Sequence, residues 1–125
     1  MSKYLLLVTA LVEVITGVVL LIAPSLVVEL LLGEGLLSQP SIVLGRITGA
    51  ALVSIGVACL LVRNAELNAR RGLISSILIY NLAVPALLTY GAIAHGMRGI
   101  AIWPTCVLHL ILAIWCLRCL QTPQP

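Results

Sequence analysis

Tyr4-Leu-Leu-Leu-Val-Thr-Ala-Leu-Val-Glu13-Val-Ile-Thr-Gly-Val-Val-Leu-Leu-Ile-Ala23 is an apolar run long enough to cross a bilayer, and it carries one carboxylate at its midpoint. A charge at the centre of a membrane costs from a few to more than about ten kcal/mol, so the fold must either offset Glu13 or use it. Glu13 also separates this run from a cleavable signal peptide, because it breaks the apolar region and no small-x-small cleavage site follows. The run therefore reads as a retained first helix, spanning about 4–23.

The rest of the chain places it in the same class. Of 125 residues, 62% are hydrophobic and 9% charged, more apolar surface than a soluble core absorbs. There is room for about four spans of roughly twenty residues and for no separate soluble domain, so 1–125 reads as a single transmembrane domain. A net charge of +3 with no basic patch excludes nucleic acid as a partner. All four cysteines fall inside apolar runs, unlike the layout of a secreted disulfide framework.

Outward from the first run, residues 25–40 mix leucines and valines with Glu29, Glu34 and glycines. That segment is too short and interrupted to span, and it predicts a short interfacial helix broken at Gly33-Glu-Gly35. The second run, 42–62, is rich in small residues, with a G-x-x-x-G step at Gly45 and Gly49 followed by Gly56. Small residues let helices approach closely in lipid, which predicts that this run is the central helix. The third run, 72–94, contains Asn81 and Pro85; the fourth, 100–120, contains His109, Trp103-Pro104 and Trp115. The tail from Gln121 to Pro125 reads as frayed. The expected fold is all-α, a four-transmembrane-helix up-and-down bundle with a short interfacial helix between the first and second spans.

Four spans put both termini on one side, with Lys3, Arg63, Arg70, Arg71 and Arg118; Arg98, Glu29 and Glu34 fall on the other. The positive-inside tendency then places both termini in the cytoplasm. Counting along the spans, Glu13 and Asn81 each lie about nine positions, or roughly 13 Å, from the cytoplasmic ends, and His109 is also near the midplane. Thr9, Thr16 and Gly17 flank Glu13 on a small, polar stripe that points inward. A midplane polar cluster of Glu13, Asn81 and His109 is expected, with the carboxylate either protonated or paired to the imidazole. The competing reading is that Asn81 and His109 only fix helix packing by hydrogen bonds.

Arg46 lies about four residues, or roughly 6 Å, below the outer surface, where it can snorkel. Alternatively Arg46, with Tyr90 and His95 at similar depth, forms an outer-leaflet contact to an anionic headgroup or a quinone carbonyl. Depth and side-chain direction argue against an Arg46 to Glu13 pair. His95 and His109 differ in level by roughly 15 Å, which excludes them as joint haem ligands. Cys116-Leu-Arg-Cys119, with Cys59 near the same end, resembles a redox C-x-x-C, yet on a continuous helix at a reducing cytoplasmic end buried small hydrophobes account for it better. Three cysteines without a fourth ligand do not make a closed zinc site, so no metal is expected.

Two family resemblances rest on these residues. Gly17-Val-Val-Leu-Leu-Ile-Ala-Pro24, the Leu-rich segment ending in Gly33, and Gly45-Arg46-Ile-Thr-Gly49 resemble the DoxX-like group of small four-helix bacterial membrane proteins. That resemblance covers roughly the first half of the chain. It implies an up-and-down bundle in the bacterial inner membrane, in a group some of whose members are linked to quinone-coupled oxidoreductase complexes. Ala10-Leu-Val-Glu13-Val-Ile resembles the first helix of the small multidrug resistance transporters, where a carboxylate couples to protons. The remainder departs from that family, having no Phe and an Arg46 unsuited to a cation route. The expectation is a small accessory or assembly subunit without catalytic activity of its own. It would bind lipid, quinone, other membrane subunits or a second copy of itself. The alternative is a proton-coupled transporter using Glu13.

Overall fold

The computed structural model describes residues 1–122. Five helices follow one another: α1 (Ser2–Ile22), α2 (Pro24–Leu32), α3 (Gln39–Val62), α4 (Leu67–His95) and α5 (Ile102–Gln121), with no strand among the described residues. Four of them, α1, α3, α4 and α5, are long and apolar enough to cross a membrane. Of the expected frayed tail, Gln121 is the last residue of α5 and residues 123–125 lie outside the described residues.

The element ends have local causes. Pro24 opens α2 at a first-turn position, where its missing N–H is no loss, after the non-helical Ala23 ends α1. Gly33 closes α2 with φ 88°, a left-handed conformation that glycine adopts without a Cβ penalty. The segment expected as one interfacial stretch over 25–40 is thus helical only to Leu32. Residues 33–38 form a connection, and α3 begins at Gln39 under a Ser38 cap that accepts from the Ser41 N–H at 3.3 Å. Residues 67–71, which precede the expected third span of 72–94, form the first turns of α4. At the other end, residues 96–101 fold as a turn, and α5 starts at Ile102 rather than at 100.

That turn is tied to α2. Arg98 N–H donates to the Leu32 carbonyl (3.3 Å) and Ala101 N–H to the Leu30 carbonyl (2.8 Å), which satisfies two acceptors at the C-terminus of α2. Gly99 lies against the Leu31 backbone so closely that any Cβ would collide with it.

The bundle is two tight helix pairs: α1 packs chiefly on α3, and α4 chiefly on α5. Close approach in the first pair depends on glycine. A Cβ on Gly17 would stand 2.6 Å from the Gly49 carbonyl oxygen, and one on Gly56 would stand 2.6 Å from Val14 Cγ2 and 3.0 Å from the Ala10 carbonyl oxygen. As the α1 numbers fall the α3 numbers rise, so the two run antiparallel. Gly45 meets Pro24, at the start of α2, in the same way. The expectation that the small-residue span is central is corrected. α3 buries only Gly49, Leu52, Gly56 and Cys59, whereas α1 buries eight residues from Ser2 to Leu20. Gly49 and Gly56 of α3 both fit α1, and its Ala50, Ala51 and Ser54 face outward.

Candidate functional site

Glu13 sits on the face of α1 that also carries Leu6, Thr9, Ala10 and Gly17, all buried, and it is only 2% exposed. Its neighbour across the bundle is Tyr80 on α4, whose hydroxyl donates to Glu13 Oε2 at 3.5 Å. The other carboxylate oxygen, Oε1, and Thr9 Oγ1 are buried without a hydrogen-bond partner among the described residues.

One residue along α4, Asn81 is 0% exposed and makes two bonds. Its Nδ2 donates to the Ile77 carbonyl (2.9 Å), which turns its Oδ1 toward His109 Nδ1 on α5, 2.7 Å away. An amide oxygen only accepts, so Nδ1 carries the hydrogen of the imidazole. His109 itself is 6% exposed, and its ring meets the Tyr80 ring edge-on, with centroids 5.5 Å apart. Pro85, four residues after Asn81, has no N–H to offer the Asn81 carbonyl, so the backbone of α4 is also unsaturated at this level. Cys106 Sγ, in turn, lies 3.9 Å from the Pro85 carbonyl oxygen. The contacts Asn81 to His109 and Pro85 to Cys106 run in opposite senses along α4 and α5, so these helices are antiparallel.

The structure thus brings Glu13, Asn81 and His109 into one polar layer, but not as direct neighbours. The imidazole bonds to Asn81 and not to the carboxylate, and no ion pair joins Glu13 to His109 among the described residues. Tyr80 connects the two halves: its hydroxyl reaches α1 and its ring reaches α5. Tyr80 does not stand out in the sequence as a site residue. Its adjacency to Asn81, and hence its equal depth with Glu13, was the available signal.

The outer-leaflet set is not assembled. Arg46 is exposed on α3 and has no hydrogen bond or ion pair among the described residues. Tyr90, 61% exposed, instead packs edge-on against His95, with ring centroids 5.3 Å apart. α3 and α4 meet only marginally, which is why residues of similar depth on these two helices stay separate. Of the packing glycines, Gly49 and Gly56 face α1 and Gly45 faces Pro24.

Cys59, Cys116 and Cys119 are buried free thiols in one apolar cluster with Leu5, Leu6 and Ile74. Among the described residues no group of three His, Cys, Asp or Glu side chains could hold a metal ion. At the same end of the bundle, Arg70 Nη1 lies 3.4 Å from the Ser2 hydroxyl, so α4 is tied to the start of α1. Tyr80 and Arg70 on α4 thus meet Glu13 and Ser2 on α1 in the same order, and those two helices are parallel. No family model, no curated protein and no solved structure matches this chain.

Proposed function

We propose that the chain is a small integral membrane protein serving as an accessory or assembly subunit, with Glu13, Tyr80, His109 and Asn81 specifying how its two helix pairs join. Four helices long and apolar enough to span support the membrane reading. On this reading the alternation of α1, α3, α4 and α5 is an up-and-down bundle, and α2 lies at one interface. The ends with Lys3, Arg63, Arg70, Arg71 and Arg118 face the cytoplasm of a bacterial inner membrane. The resemblance to the DoxX-like group points the same way and is offered as kinship of architecture. Lipid, quinone and larger redox subunits are the partners that reading brings with it.

One observation carries the accessory role: the polar layer is built from side chains that bond to one another across three helices, Glu13 to Tyr80 and Asn81 to His109. Interhelical hydrogen bonds of this kind fix the pairing of membrane helices, which would otherwise slide in a uniformly apolar contact. Two cavities lie elsewhere. One is at the outer end beside His95; the other lies on the flank of α5 beside Trp115.

A second reading has one observation in its favour. Glu13 Oε1 is buried without a partner at the middle of a candidate span, as a proton-carrying carboxylate would be. Extraction in mild detergent and flux into liposomes separate the two. The accessory role predicts larger membrane subunits in fixed stoichiometry through gel filtration and no pH-driven flux. The transport role predicts flux that Glu13→Gln abolishes.

A further inference from the structure

The outer end of the bundle holds a cleft of about 440 Å³ between the connection after α2 and the turn after α4. Its lining joins the half-buried apolar side chains of Val28, Leu36 and Met97 to the exposed Glu34, His95 and Arg98. Its walls are braced. Arg98 N–H and Ala101 N–H bond to α2 on one side, and on the other the Ser25 hydroxyl donates to the Leu36 carbonyl at 3.3 Å. A carboxylate and a guanidinium therefore share a cleft, yet no ion pair joins Glu34 to Arg98, and neither side chain has a hydrogen-bond partner among the described residues. Two opposite charges held apart in one cleft are complementary to a ligand that carries both signs.

From this we infer that the cleft binds the headgroup of a zwitterionic aminophospholipid, an inference that rests on the membrane reading above but not on the accessory role. Arg98, with His95 beside it, takes the phosphate; a guanidinium offers several fixed N–H donors to phosphate oxygens. Glu34 accepts from the primary ammonium, whose N–H donors a quaternary choline lacks. The position fits the ligand. The cleft lies where α2 and α4 end and α5 begins, and exposed Tyr90 and Trp103 stand at the same end, as aromatic side chains do at headgroup level. The half-buried Val28, Leu36 and Met97 then meet the first carbons of the acyl chains. This moves the headgroup contact expected at Arg46 to Arg98, and of the original set it keeps His95.

The test uses the full-length protein in nanodiscs made in turn with phosphatidylethanolamine, phosphatidylcholine or phosphatidylglycerol, followed by detergent release and native mass spectrometry. The wild type is expected to retain phosphatidylethanolamine about tenfold over the other two, the size of one charge-assisted hydrogen bond. Glu34→Gln should abolish the preference over phosphatidylcholine, and Arg98→Ala should lose retention of all three lipids. Inorganic phosphate should compete with retention only weakly, because it lacks the ammonium. Equal retention of the three lipids overturns the assignment, as do preference for phosphatidylglycerol, a preference unchanged in Glu34→Gln, and full displacement by phosphate. Both side chains are exposed, and circular dichroism on each variant checks that helix content is intact. Failure to enter nanodiscs at all would refute the membrane reading itself, whereas entry without lipid preference refutes only the cleft.

Discussion

The Tyr80 hydroxyl lies 3.5 Å from Glu13 Oε2, so a single bond joins the α1–α3 pair to the α4–α5 pair at the level where α1 carries its only charge after Lys3. Its energy is measurable. In a double-mutant cycle of Glu13→Gln and Tyr80→Phe, equilibrium unfolding in mixed detergent should give a coupling of about 0.6 kcal/mol, the typical value for interhelical hydrogen bonds in membrane proteins. Strict additivity of the two variants would mean that the long contact contributes nothing.

Asn81 should matter more. It satisfies both Ile77 on its own helix and His109 on the next, and the His109 bond is short and buried. Asn81→Leu leaves the imidazole N–H without an acceptor and should cost about 1–3 kcal/mol. Asn81→Leu with His109→Leu should cost less than the sum of the two single changes, because no orphan remains. Thermal melts of the three variants check this.

The α1–α3 seam depends on absent side chains. Gly49→Val should destabilise by about 2 kcal/mol or more, because its Cβ would stand 2.7 Å from the Gly17 carbonyl oxygen and 2.9 Å from the Leu21 nitrogen. Gly72, with nothing within 4 Å of its Cβ position, provides the contrast. Gly72→Ala should be neutral or stabilise by roughly 0.5–1 kcal/mol through helix propensity.

Gly99→Ala tests the tie between α2 and the turn at 96–101. A methyl group there collides with the Leu31 backbone, so the Arg98 and Ala101 amides should lose their acceptors on α2. Hydrogen exchange should accelerate at these two amides and leave those of α1 and α3 unchanged. Uniform loss of protection would instead make the turn part of the global core.

The four spans were legible because apolar runs of bilayer length are a strong signal, and the depths of Glu13, Asn81 and His109 followed from a fixed rise per residue. What depth counting does not give is which helices touch. Arg46 and Tyr90 share a level but sit on α3 and α4, which barely meet, so the expected joint site does not form. The small residues of α3 were read as a sign of centrality, yet Gly49 and Gly56 serve one partner only. The closeness of Gly99 to Leu31 depends on where a turn lands against a helix distant in sequence, and no local pattern encodes that. Tyr80 was missed because an aromatic flanked by Ile79 and Asn81 is ambiguous between a lipid-facing and an inward position until the rotation of α4 is known.

The central claim is that Glu13 belongs to a closed packing layer and not to a transport route. A carboxyl that protons or substrates must reach from the lipid or from water is also one that a small lipid-soluble carbodiimide reaches. With the full-length protein in liposomes, site-resolved mass spectrometry should find Glu13 unmodified in the folded state and labelled after unfolding. Rapid labelling of Glu13 in the folded protein, suppressed by a transported cation, would contradict the account.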